Sequence, residues 1–226
     1  HELRNPLASL RGLAELLGRD FDAADPRSRY VATMLTAIDR LDHMIEDLLL
    51  FSSPAPALTE HIDLASLVRE LALFIGHGTP DRNVRLEVAP AAAGISVVAN
   101  RDRVVHAFTN ILRNAVQATP DGGVVTARVD RTDREAIVCI HNTGSFIPPD
   151  VRAQLFVPFF TTKSGGTGLG LAIARQFITA AGGRIDVDSD QADGTTFSVA
   201  LPLGATTGTA APAENTITFS THPSRA

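Results

Sequence analysis

LFVPFFTTKSGGTGLGLAI, residues 155–173, carries the strongest signal in the chain. Gly165, Gly166, Gly168 and Gly170 leave the backbone free to turn several amide N–H groups toward phosphate oxygens. Leu171 to Ala181 then reads as a helix closed by Gly182 and Gly183. Its N-terminal dipole, near Leu169, favours an anion at the same loop. Lys163 adds a mobile positive charge on the approach. A dinucleotide-binding fold places its glycines between the first strand and helix of a βαβ unit, whereas these come late and follow a loop. A Walker loop needs Gly-Lys-Ser/Thr, and here Lys163 precedes the glycines.

Working outward, Arg101 to Ala118 reads as a helix with two faces. At 100° per residue, His106, Asn110, Arg113, Asn114 and Gln117 form one stripe, and Val104, Phe108, Ile111, Leu112 and Ala115 the opposite one. The polar stripe is mostly uncharged amide, which suits phosphate oxygens and a hydrated Mg²⁺. A packing or capping stripe is the plainer alternative. VRLEV, ISVVA, VVTARVD, AIVCIHN, RIDVDSD and TTFSVALP read as strands around these helices. HNTGSFIPP, residues 141–149, puts a polar side chain at a strand end followed by Gly144, which is how a base-recognition edge can be built.

The N-terminal third is different. Leu3, Leu7, Leu10, Ala14 and Leu17 make one coiled-coil seam, and Val31, Met34, Ile38, Leu41, Ile45 and Leu48 make another. RDFDAADP between them reads as a helix–helix turn. Two one-sided helices cannot bury their seams alone, so a four-helix bundle made by homodimerisation is expected. On the first heptad His1 and Asn5 fall away from the seam, a turn apart on one solvent-facing side. An imidazole there is available as a nucleophile, with Glu2 placed to hold its N–H and take its proton. Pro6 cannot donate to the carbonyl of Glu2, which loosens the helix beside it. A solvated surface histidine is the plainer alternative.

Five motifs resemble those of sensor histidine kinases, in order and over residues 1 to about 203. HELRNPL is similar to the H-box of the nitrogen-regulation type. The resemblance implies that His1 is phosphorylated, that Glu2 is its acid–base partner, and that Asn5 positions a water against a partner's phosphoaspartate. NILRNAVQAT, residues 110–119, resembles the N-box of the GHKL ATPases. That implies Mg²⁺ on Asn114, nucleotide phosphates on Asn110, and the γ-phosphate near Arg113. HNTGSFIPP resembles the G1 box, with Asn142 where the family has the adenine-binding aspartate and Gly144 in place. Phe146 stands where a second glycine is usual. Both departures bear on nucleotide affinity, since a neutral amide makes a weaker contact than a carboxylate and Phe lacks glycine's conformational range. The opening stretch resembles the F-box and G2 box. By that likeness Phe156, Phe159 and Phe160 anchor a lid, although packing explains Phe156 equally well, and Lys163, Gly166, Thr167, Gly168, Leu169 and Gly170 line the triphosphate. DGTTFSVALP resembles the last strand pair, with Gly194 and Thr195 near the adenine end.

The fold class this implies is α plus α/β: a dimerising helical hairpin over residues 1–53, a proline-rich linker over 54–62, and a Bergerat-type α/β sandwich over 63–203. That sandwich is a mixed sheet with helices on one face. Residues 204–226 read as a flexible tail, with NTITFST able to add an edge strand. The implied activity is autophosphorylation of His1 from ATP and Mg²⁺, then transfer to an aspartate of a response-regulator receiver domain, with phosphatase activity toward that receiver. Rivals are another GHKL ATPase, a degenerate nucleotide-binding scaffold, and a molecule acting mainly as a receiver phosphatase.

Composition fits. The 226 residues are 44% hydrophobic and 20% charged, with a formal net charge of −5, which argues against nucleic acid as a partner. One cysteine, Cys139, precludes an intrachain disulfide and points to a cytoplasmic, reducing compartment. Cys139 is expected to be buried packing. No run approaches the ~20 apolar residues of a membrane span. Because the sequence opens inside a helical pattern, it reads as part of a longer chain, and a membrane anchor is expected only through upstream segments. His43, His61, His77 and His222 form no cluster of metal-ligand spacing. His106 is at most a supporting residue, and His141 should face away from Asn142.

Overall fold

The computed structural model describes residues 4–22, 25–52, 58–77, 83–91, 94–163, 166–204 and 217–220. The chain divides into two compact units, His1–Pro54 and Ala55–Ala226.

The first unit is a helical hairpin of α1 (Arg4–Arg19) and α2 (Pro26–Ser52). Asp25 starts α2, accepting the Arg27 N–H at 2.8 Å, and Pro26 takes the first helical position, where its missing N–H costs nothing. Leu7, Ala14 and Val31 are buried between the helices. A Cβ on Gly18 would lie 3.1 Å from Val31 Cγ1, so glycine lets α1 approach closely at its end. Arg11 crosses to Asp39 at 2.8 Å; the pair is exposed and is worth at most about 1 kcal/mol. Leu10, Leu17, Met34, Leu41 and Leu48, all seam positions, remain 41–52% exposed in the single chain. A lone hairpin has only one contact face, and these side chains lie beyond it.

The second unit opens with β1 (Glu60–Asp63), a short strand whose first three residues fall in the stretch read from sequence as linker. It pairs antiparallel with β3 (Ser96–Ala99), burying Ile62. Next come α3 (Leu64–His77), where the Asp63 carboxylate accepts the Ser66 N–H at 2.8 Å, and β2 (Arg85–Val88). α4 (Arg101–Ala118) is capped by Asn100, whose side chain accepts from the Arg103 N–H at 3.0 Å. Then follow β4 (Val124–Arg131), β5 (Glu135–Asn142), the short α5 (Pro149–Arg152), α6 (Gly170–Ala180), β6 (Arg184–Asp190), β7 (Gly194–Pro202) and β8 (Ile217–Ser220).

Among the described residues the main sheet has six strands in the order β6-β7-β5-β4-β2-β8. β2 and β4 run parallel and the other described neighbours antiparallel, so the sheet is mixed. β8, from the stretch read as tail, occupies the edge position beside β2. β4 and β5 bury alternate residues, as a sheet with one covered face must. α4 packs against α6, α3 and β5. Phe108, Ile111, Leu112, Ile140, Phe177 and Phe197 are at most 2% exposed in this core, each contributing roughly 1.5–3 kcal/mol by burial. α6 ends as its glycines suggest: the Gly183 N–H reaches the Ile178 carbonyl and the Gly182 N–H that of Thr179, both at 2.9 Å, with Gly182 at φ 78°.

Candidate functional site

α4 buries Val104, Ala107, Phe108, Ile111, Leu112, Ala115 and Val116, which turns the amide stripe outward. Asn110 and Asn114 are half-buried, while Arg113 and Gln117 are exposed. Asn110 binds within the protein: its Nδ2 donates to the Gly170 carbonyl at 3.2 Å and lies 3.1 Å from His106 Nδ1. It therefore ties α4 to the first residue of α6. His106 sits edge-on to Phe177, with ring centroids 5.8 Å apart. A Cβ on Gly170 would come within 3.3 Å of Asn110 Cγ.

The Lys163 ammonium reaches back to this stripe, donating to Asn114 Oδ1 at 2.5 Å and to Gln117 Oε1 at 3.1 Å. The residue as a whole is exposed, but its ammonium is shielded between the amides, and that burial lowers its pKa below the ordinary lysine value. Two amide oxygens converging on one positive charge are oxygen donors of the kind a hydrated Mg²⁺ takes, so the donor set fits that ion. Gln117, a member of the stripe without an assigned role, belongs to this convergence.

The glycine loop has a fixed inner edge. Gly168 lies at φ 69°, and its carbonyl accepts the Phe159 N–H at 3.0 Å. A Cβ on Gly168 would fall 2.4 Å from the Phe159 carbonyl carbon. Phe159 itself is at φ 67°, the one described non-glycine residue with positive φ, and is 65% exposed. Thr167 Oγ1 accepts the Leu169 N–H at 3.2 Å, and Leu169 is fully buried. Gly166 packs against Thr161. Phe156 is half-buried beneath the Arg175 guanidinium, 5.4 Å from its ring centroid, and Phe160 is also half-buried. Gly165 lies outside the described residues.

At the end of β5, Asn142 is 1% exposed and opposite Thr195 of β7. Asn142 Nδ2 donates to Ser145 Oγ at 2.6 Å, and Ser145 Oγ donates to Thr195 Oγ1 at 3.0 Å. Ser189 Oγ lies 2.8 Å from Thr195 Oγ1. Ser145 and Ser189 have no role in the sequence reading; Ser145 meets Asn142 from the turn three residues on, and the pairing of β6 with β7 brings Ser189 beside Thr195. Gly144 is at φ 71°, where a Cβ would meet the Pro120 ring at 2.7 Å. Phe146 takes an ordinary backbone conformation and is 42% exposed. His141, on the other face of β5, hydrogen-bonds Thr196 Oγ1 at 3.0 Å. Cys139 is half-buried rather than buried, 3.8 Å from Ser198 Oγ, because it lies on the less covered face of the sheet.

In the helical unit, Asn5 is exposed on α1, whereas His1 and Glu2 lie outside the described residues.

Residues 1–56 match the family model of the His Kinase A (phospho-acceptor) domain, and residues 99–205 that of the histidine kinase-, DNA gyrase B-, and HSP90-like ATPase. The chain is a histidine kinase catalytic core. Sensor histidine kinase ZraS of Escherichia coli is 29% identical to this kinase core over 206 residues, 91% of the chain and 44% of the relative. Sporulation kinase C of Bacillus subtilis is 28% identical over 90% of the chain and 47% of its own length. The chain thus spans less than half the length of these curated relatives. Full-length ShkA, solved in complex with AMPPNP, superposes with a TM-score of 0.73 at 28% identity, over 94% of this chain and 46% of that one. A helical unit followed by a mixed-sheet ATPase domain is therefore the architecture of the kinase core as well as the expectation from its sequence. Among the described residues no helix is long and apolar enough to cross a membrane.

Proposed function

We propose that this kinase core uses ATP to phosphorylate its own His1 and passes the phosphoryl group to an aspartate on a response-regulator receiver domain. The observation that carries this is the meeting of Lys163, Asn114 and Gln117, where the glycine loop and the amide stripe of α4 converge on one charge. Phosphoryl transfer needs positioning and charge neutralisation more than covalent help, and this convergence supplies both.

In this reading Asn114, with Gln117 beside it, holds Mg²⁺, which neutralises charge on the phosphates. Lys163 then turns to the triphosphate, joined by the backbone N–H groups of Gly166 to Gly170 and by Thr167. Asn110 keeps α6 in register with α4 and can exchange its bond to Gly170 for a phosphate oxygen. Arg113, exposed on the same helix, would meet the γ-phosphate. Asn142, Gly144 and Thr195 receive the base. As the unprotonated nitrogen of His1 attacks the γ-phosphorus and the bond to the leaving ADP oxygen breaks, Glu2 takes the N–H proton of the other ring nitrogen, so the phosphorylated ring carries no positive charge. The exposed leucines of α1 and α2 form the interface of a homodimer, since patches of that kind mark association surfaces.

Asn5 supports a second activity, removal of the phosphoryl group from the receiver by a positioned water. Its exposure on α1 leaves the amide open to a docked partner. A pulse–chase experiment tests the relay. The core is labelled with γ-labelled ATP and Mg²⁺, freed of nucleotide, and mixed with a purified receiver domain of a paired response regulator. Label should leave the core and appear on the receiver. Label that stays on the core, or never forms, contradicts the proposal.

A further inference from the structure

The pairing of α4 with α6 is tied at the glycine loop and hollow at the other end. At the loop, Asn110 joins the two helices through the Gly170 carbonyl. About two turns away along both helices, Arg103 of α4 lies over the Phe177 ring of α6, 4.7 Å from its centroid. Around that contact a cavity of about 160 Å³ opens between the end of β3, the start of α4 and the end of α6. Small side chains make the space, Ala99 from β3 and Ala180 from α6, while Val98, Val104 and Phe177 complete the apolar wall. Its mouth is at the surface, where Val98 is 43% exposed and Ala180 is exposed as well.

Size and charge together define the guest. An apolar cavity of ~150 Å³ accepts a benzene-sized molecule, so this one admits a single ring. Among the described residues Arg103 is the one charged side chain lining it, and no carboxylate does. The Asn100 amide, also at the wall, is engaged at both ends: its Oδ1 accepts the Arg103 backbone N–H at 3.0 Å, and its Nδ2 donates to the Leu58 carbonyl at 3.1 Å. The directional charge is therefore that of Arg103. A guanidinium carries five N–H donors, enough to grip a carboxylate bidentately beside its contacts within the protein. Its half-buried position strengthens such a pair relative to one in open water.

We propose that this cavity binds a small aromatic carboxylate and that its occupancy tightens nucleotide binding. The ring lies against Val98, Val104 and Phe177, and the carboxylate pairs with Arg103. A contiguous set of contacts leads from there to the glycine loop. Phe177 meets His106 edge-on, with centroids 5.8 Å apart. His106 Nδ1 lies 3.1 Å from Asn110 Nδ2, and Asn110 holds the Gly170 carbonyl at 3.2 Å. A guest seated at the hollow end fixes Phe177, and with it the packing of the two helices that carry the amide stripe and the loop. A nucleotide then meets helices that are already ordered and loses less entropy on binding. By linkage it tightens the acid by the same factor. This coupling rests on the nucleotide reading given above, whereas the acid site stands apart from it.

The probes are benzoate and benzyl alcohol, which match in size and differ in charge. In the whole chain carrying ¹³C-labelled valine methyls, benzoate should shift the Val98 and Val104 signals saturably. It should bind about tenfold more tightly than benzyl alcohol, the weight of one charge-assisted pair. Arg103→Gln should erase that preference and leave the alcohol's affinity nearly unchanged. Ala180→Leu, a surface change that fills the cavity, should abolish the shifts from both probes. No shift, equal affinity for the two probes in the unaltered chain, or undiminished benzoate binding in both variants overturns the site. Calorimetry with a non-hydrolysable ATP analogue and Mg²⁺ then tests the coupling. Saturating benzoate should raise nucleotide affinity about fivefold, and the rise should vanish in Ala180→Leu and in His106→Ala. Unchanged nucleotide affinity in saturating benzoate overturns the coupling. Failure of the unaltered chain to bind the analogue removes the nucleotide reading and the coupling with it, while the methyl shifts still decide the acid site.

Discussion

The ammonium of Lys163 lies 2.5 Å from Asn114 Oδ1, joining residues 49 positions apart in sequence. The basic residue of the glycine loop is thus paired with the amide assigned to the metal. Binding must exchange that pairing for contacts with Mg²⁺ and phosphate. Lys163→Ala should therefore weaken ATP more than ADP. Calorimetry should show ATP affinity down by about tenfold or more, since one charge-assisted bond to phosphate is lost. Equal losses for the two nucleotides would place Lys163 away from the γ-phosphate.

Asn114→Ala should abolish the Mg²⁺ dependence of nucleotide binding. Titration with ATP in excess Mg²⁺ and in chelator should give nearly the same weak affinity. The unaltered chain should differ between the two conditions by at least about tenfold. A variant that keeps that difference contradicts the metal assignment.

Gly168→Ala should disable the loop without unfolding the domain. The φ of 69° disfavours an L side chain, and the added Cβ would sit 2.4 Å from the Phe159 carbonyl carbon. The loop should relieve this by shifting locally, so the thermal midpoint should change by no more than about 4 °C. Nucleotide affinity should fall by about tenfold or more. A loss of affinity accompanied by global unfolding would instead make the glycine a structural keystone.

Asn5→Ala should separate the two activities assigned to α1. Dephosphorylation of a prephosphorylated receiver should slow by roughly tenfold or more, since a water is no longer held in place. Autophosphorylation should be largely retained. Loss of both activities together would mean that Asn5 supports the helix rather than the water.

Much of this arrangement is legible in the residue order because it is local. The α4 stripe follows from a 3.6-residue period, and its buried face contains every apolar residue the pattern assigns there. The glycines closing α6 sit beside the carbonyls they satisfy. What escapes is non-local. Ser145 and Thr195 are 50 residues apart, and their meeting depends on the register of β5 against β7, with the pair Asn142↔Thr195 at its end. The β1 strand escapes for another reason: four residues following a proline-rich run, with only Ile62 buried, have no readable alternation. Asn110 shows a third limit. Its place on the polar stripe is evident, but its bond to the Gly170 carbonyl depends on how α6 packs across α4.

The most direct measurement labels the chain with γ-labelled ATP and Mg²⁺, alongside His1→Gln and His43→Gln variants. The account predicts acid-labile, alkali-stable label on the unaltered chain and on His43→Gln, and none on His1→Gln. Equal labelling of the two variants would contradict it.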